Sequence, residues 1–87
     1  MTQPTVTLYT SDWCPYCERA RGLLTQKNVV FSEINVEGDA KFREEMIARS
    51  NRRTVPQIFI GDKHVGGCDD LFELDRSGEL DRLIQGA

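Results

Sequence analysis

No stretch of this 87-residue chain approaches the ~18 consecutive apolar residues of a membrane-spanning helix, which excludes that architecture. Met1, Thr2, Gln3 and Pro4 carry neither the basic region nor the apolar segment of a secretory leader, so the expected location is cytoplasmic. Basic residues are scattered, and the formal net charge is −3. The one basic cluster, Arg49, Arg52 and Arg53, is too small for a nucleic-acid surface and fits a local anion site better. There is no internal repeat, low-complexity tract or linker, so a single domain over 1–87 is expected. Cysteine is scarce and odd in number, at three. In a reducing compartment structural disulfides are rare, and a closely spaced pair points to catalysis or metal binding instead. Hydrophobic content of 39% with 29% charge is that of a soluble globular chain, not a disordered one.

What is present has a clear order. Val6-Thr7-Leu8-Tyr9-Thr10 is β-branched and aromatic and predicts a first strand. After a turn at Ser11-Asp12-Trp13, a helix is expected from about Pro15, a residue suited to the first helical position because it has no N–H to leave unpaired. Cys17, Ala20, Leu23 and Leu24 form its apolar face. Residues 29–36 predict a second strand, and Asp39 an N-cap for a second helix that buries Phe42, Met46 and Ile47 and ends at Ser50-Asn51. Residues 57–60 and 63–65, joined by Gly61-Asp62, predict a hairpin. Gly66-Gly67 breaks the chain before a third helix with Leu71, Phe72 and Leu74, which stops at Ser77-Gly78. A last helix carries Leu80, Leu83 and Ile84. The order β-α-β-α-β-β-α-α implies an α/β fold with one mixed, four-stranded sheet flanked by helices.

The most informative feature is Trp13-Cys14-Pro15-Tyr16-Cys17 at the strand-to-helix junction. Two thiols at this spacing can close a disulfide or share a metal. The start of a helix offers unpaired N–H groups and a favourable dipole, which stabilise a thiolate on Cys14 below the ~8.5 of a free thiol. Cys17, one turn inside, should be more buried and protonated.

With Cys14-Pro15-Tyr16-Cys17 after the first strand, Thr54-Val55-Pro56 before the third, and Gly66-Gly67-Cys68-Asp69-Asp70 before the third helix, the chain resembles a dithiol glutaredoxin of the thioredoxin-like fold, over roughly residues 5–84. The resemblance implies glutathione-dependent reduction of protein disulfides and of protein–glutathione mixed disulfides. Glutathione would be a co-substrate, with no tightly bound cofactor and no metal. Cys14 would be the nucleophile and Cys17 the resolving thiol. Tyr16, Arg53, Thr54, Val55, Pro56, Gly67, Cys68 and Asp69 would bind glutathione. Pro56 would be a cis-proline, turning the Val55 backbone toward the thiols for pairing with an extended peptide. Asp69 would face the ammonium group of glutathione, and Cys68 would be a small residue at a tight site. Partners would be glutathione and disulfide-containing or glutathionylated proteins, with no nucleic acid and no membrane. Ribonucleotide reductase is a family partner, though no residue here identifies it. A monomer is expected, since no long apolar stripe is left unassigned.

The chain departs from the family pattern at Ser11, where many glutaredoxins carry Lys. Arg52, Arg53 and Arg43 are the candidates to supply the missing cation. Trp13 either shields the thiolate, touches protein substrates or packs. Three other readings remain: a redoxin reduced by a flavoprotein reductase, a carrier of a [2Fe–2S] cluster, and a zinc site from Cys14, Cys17, His64 and Cys68. The Gly-Gly-Cys-Asp-Asp segment argues against the first, Pro15-Tyr16-Cys17 against the second, and the lack of a second C-x-x-C against the third.

Overall fold

The computed structural model describes residues 3–85; Met1, Thr2 and the last two positions of the expected 1–87 domain lie outside the described residues. The elements run β1 (Val6–Thr10), α1 (Pro15–Gln26), β2 (Ser32–Asn35), α2 (Ala40–Ser50), β3 (Gln57–Ile60), β4 (Lys63–Gly66), α3 (Cys68–Ser77) and α4 (Glu79–Ile84). They form one four-stranded sheet in the order β2-β1-β3-β4. β1 and β2 are parallel, joined through α1 as a crossover, while β1–β3 and β3–β4 are antiparallel. The mixed sheet and the element order are those the sequence implies.

Alternation along the central strands divides the core. Val6 and Leu8 of β1 and Ile58 and Ile60 of β3 point to one face, where Ala20, Leu23, Leu24, Leu71 and Leu80 pack on them. Tyr9 and Phe59 point to the other face and pack with Val36 and Met46. The α1 stripe is the expected one: Cys17, Ala20, Leu23 and Leu24 are all buried. Each fully buried leucine contributes roughly 1.5–3 kcal/mol, so the first cluster dominates stability.

The structure departs from expectation at both ends of β2, which stops at Asn35, at the end of β4 and in the burial of Phe42. β2 begins at Ser32, not Val29. The Val29 N–H is taken by the Leu24 carbonyl at 2.9 Å, closing the end of α1. The Gln3 side chain brackets the Val30 backbone, accepting its N–H at 2.9 Å and donating to its carbonyl at 2.6 Å. The Val29 N–H and both backbone groups of Val30 are therefore already engaged and not available to a ladder. β4 runs one residue further than expected, to Gly66, which pairs with Ile58. Phe42 is not buried but 40% exposed. Met46 and Ser50, one and two turns later on the same helical face, make the buried contacts instead.

Helix ends are closed as their sequences suggest. Asp39 caps α2 by accepting from Lys41 N–H at 2.9 Å. Asn51 ends that helix in the left-handed conformation, with φ of 58°. Buried Ser50 accepts from Arg52 N–H at 3.1 Å and donates to the Met46 carbonyl at 2.6 Å, tying the start of the next segment to the helix.

Candidate active site

β1 delivers the chain to the sheet edge where α1 begins. Cys14 is the N-cap of α1 and Pro15 its first residue. The Cys17 N–H donates to Cys14 Sγ at 3.1 Å, so a sulfur takes the place of a capping oxygen. Cys14 is half-buried and Cys17 only 1% exposed. The two form a disulfide with Cα atoms 5.2 Å apart, inside the usual bridging range. The loop before Cys14 is pinned from the far end of β2: Asn35 Nδ2 donates to Asp12 Oδ1 at 2.9 Å, and the Asp12 N–H donates to Glu37. Trp13 sits with φ of 55° and is 99% exposed, which removes the packing role and leaves it open to solvent beside the thiols.

A groove of about 250 Å³ opens next to the pair. Tyr16, 56% exposed, forms one wall. Residues 54–57, residues 67–70 and Arg52 complete the lining. The Val55–Pro56 bond is cis, as the resemblance led one to expect. Of the residues singled out from sequence, Tyr16, Thr54, Val55, Pro56, Gly67, Cys68 and Asp69 are brought together here. Arg53 is exposed and outside the lining, as is Arg43 on α2; Arg52 is the cation of this groove. Its guanidinium lies 3.4 Å from the Asp70 carboxylate, both half-exposed.

The arginine cluster of the sequence is thus split in space. Arg49 is occupied on the α2 side, with its guanidinium 4.0 Å above the Phe59 ring and a 2.9 Å hydrogen bond to the Tyr9 hydroxyl. That hydroxyl also donates to Glu45. Burial, reinforced by Glu45, pushes the Tyr9 phenol up, and Arg49 opposes the shift.

At the head of α3, Asp70 Oδ2 accepts the Gly67 N–H at 2.9 Å. That backbone donor, with Arg52, holds the Asp70 carboxyl below its ordinary range, against the opposing effect of burial. Cys68 is a buried free thiol whose pKa is pushed up chiefly by burial, with Arg19 acting downward and Asp69 upward. It therefore stays a thiol and acts as a small, neutral wall residue. Among the described residues, no three His, Cys, Asp or Glu side chains are placed to share a metal ion, and His64 is engaged by Gln57 at 2.7 Å.

Sequence reasoning missed Gln57 and the loop-pinning pair Asn35 and Glu37. Gln57 read as an ordinary strand residue. A polar side chain between Pro56 and Ile58, at a position buried by the pleat, was the available signal.

A family model described as Glutaredoxin matches residues 6–65. The chain is 56% identical over 80 residues to Glutaredoxin 3 of Escherichia coli (strain K12), covering 92% of this chain and 96% of the relative. It is 52% identical over 81 residues to a glutaredoxin of Pseudomonas aeruginosa, covering 93% and 96%. Among solved structures, the glutaredoxin of Brucella melitensis superposes with a TM-score of 0.85 at 49% identity, over 97% of this chain and 91% of that one. A buckwheat glutaredoxin–glutathione complex superposes with a TM-score of 0.86 at 29% identity, over 97% and 78%.

Proposed function

The chain belongs to the glutaredoxin family of thiol–disulfide oxidoreductases, and from that premise we propose that glutathione is its reductant and that it reduces protein disulfides and protein–glutathione mixed disulfides. The observation that carries this reading is the groove lined by Tyr16, between the two cysteines, whose other lining residues include the cation Arg52 and the carboxylates Asp69 and Asp70. Arg52 suits the glycyl carboxylate of glutathione. The Val55 backbone suits its cysteinyl unit as an added strand. The first N–H groups of α3 suit the γ-glutamyl carboxylate, and Asp69 the neighbouring ammonium.

In the monothiol route, the Cys14 thiolate attacks the glutathione sulfur of a mixed disulfide. A Cys14–glutathione disulfide forms, and the protein thiolate leaves and takes a proton from solvent. A second glutathione thiolate then attacks that glutathionyl sulfur, releasing glutathione disulfide and restoring the Cys14 thiolate. In the dithiol route, Cys14 attacks a protein disulfide, and Cys17 then attacks the Cys14 sulfur. This releases the protein dithiol and leaves the Cys14–Cys17 disulfide for two glutathiones to reduce.

The helix-capping N–H of Cys17 favours negative charge on Cys14 whenever that sulfur attacks or leaves as a thiolate. Trp13, exposed beside the reacting sulfur, is placed to touch protein substrates. We further propose that the 87 residues act as one cytoplasmic domain and as a monomer; among the described residues no helix is long and apolar enough to cross a membrane.

The test is glutathione-coupled reduction of a small mixed disulfide by wild type, Cys14→Ser and Cys17→Ser. Activity lost in the first variant and kept in the second supports the reading. An inactive wild type with reduced thiols overturns it and points to a reductase-coupled disulfide assay.

A further inference from the structure

We infer that Gln57, held by His64, is a positioning residue that aims the Val55 N–H at the substrate backbone, an inference that rests on the glutathione reading above. Gln57 opens β3, pairs with Tyr9 in the ladder and is 1% exposed, so its side chain has little freedom. Its Nε2 donates to the Thr54 carbonyl at 3.0 Å and lies 3.2 Å from the Thr54 hydroxyl. A carbonyl only accepts, so this contact fixes which end of the amide is which. Oε1 must then face His64 Nε2, 2.7 Å away, and His64 must carry its proton on that nitrogen.

The imidazole is itself fixed. It stacks on Phe59 with ring centroids 4.9 Å apart, and Arg49 covers the Phe59 ring as well, 4.0 Å from its centroid. The chain of contacts runs from the edge strand β4 to the Thr54 carbonyl. A trans peptide is planar, with its C=O and the following N–H pointing in opposite directions. Among the described residues Val55–Pro56 is the one cis bond, so Thr54–Val55 is trans. Anchoring the Thr54 carbonyl toward Gln57 on one side therefore sets the direction of the Val55 N–H on the other. That N–H takes no acceptor among the described residues, and Val55 lines the groove. It is the donor an extended cysteinyl peptide would use.

A glutamine that merely satisfies its own burial would affect stability and leave substrate binding alone. The discriminating variant is Gln57→Glu. It keeps the shape and the His64 contact, but as a carboxylate it sets an acceptor against the Thr54 carbonyl. With a glutathionylated peptide as substrate, KM should rise about tenfold with kcat within about twofold, because the lost contact orients binding and touches no reacting atom. The backbone amide resonance of Val55 in the free reduced protein should shift as well. His64→Phe keeps the stack and removes the donor, and should move both readouts the same way by about threefold in KM. It carries the test alone if Gln57→Glu does not fold.

An unchanged KM or an unmoved Val55 amide, in whichever variant folds, overturns the inference. Failure of the wild type to saturate with the glutathionylated peptide would instead overturn the glutathione reading itself.

Discussion

The first turn of α1 is capped by the sulfur of Cys14, which accepts the Cys17 N–H at 3.1 Å; the first turn of α3 is closed by Asp70, which accepts the Gly67 N–H at 2.9 Å. Both turns border the same groove. At α1 the capping atom is also a disulfide sulfur, and on the proposed mechanism the attacking one, so each change in its bonding also changes the cap. At α3 the cap is a carboxylate that takes no part in thiol chemistry. It leaves the N–H groups of residues 68–70 without protein acceptors among the described residues. In the proposed function one terminus changes its bonding and the other stays open for a ligand. Both use the same orphan donors that every helix start provides.

Four measurements would break or sharpen that contrast. The largest effect is expected from Cys14→Ser. Turnover should fall on the order of a thousandfold or more, since a hydroxyl is a poor nucleophile at neutral pH. Serine is nonetheless a preferred N-cap, so urea unfolding should place the variant within about 0.5 kcal/mol of the reduced wild type. A large stability loss would show that the sulfur does more than cap.

Next is Gly66→Ala. Gly66 has φ of 119°, and an added Cβ would run into the Asp70 carboxylate. The expected cost is about 2–3 kcal/mol, read as a lower urea midpoint at unchanged m. An unshifted midpoint would mean that neither the backbone conformation at Gly66 nor Asp70 resists the added Cβ.

Asp70→Asn should cost about 0.5–1 kcal/mol, reduced from a buried cap because the side chain is half-exposed. The sign with pH is definite. The folded carboxyl is held low, chiefly by the Gly67 N–H, so its stabilisation is complete above the unfolded value of ~3.9. It is lost as pH falls through the folded value. The variant should lack that part of the acid-side slope, which stability measured from neutral pH down into the acid limb would reveal.

Arg52→Ala should shift stability least, by under about 0.5 kcal/mol, since its pair with Asp70 is solvent-screened. Its signature is a raised KM for glutathione that becomes less sensitive to salt.

Most of the fold was legible because the central segments are strongly patterned. The bounds of β1 and β3, the α1 stripe and the Asp39 cap follow from alternation, helical spacing and capping chemistry. Val29 and Val30 misled because β-branching says nothing of whether a backbone is already engaged, here by the end of α1 and by Gln3. Phe42 misled because its helical face extends past the residues that cover it. At the site, the motif residues were legible and their supports were not. Arg52 and Arg53 are indistinguishable in sequence; the left-handed turn at Asn51 and the Ser50 tether set their directions. Gln57 and His64 lie seven residues apart and meet only because the hairpin folds back, with a register irregularity between Ile58 and Phe59.

Trp13 is the chain's one tryptophan, adjacent to Cys14 and 99% exposed. The protein thus carries a built-in optical probe at the place where its chemistry occurs. Its emission begins from a fully hydrated indole, and any partner that covers the site must shift it toward the blue. Encounters with substrate proteins can be followed in unlabelled solution, separately from the electron exchange that comes after.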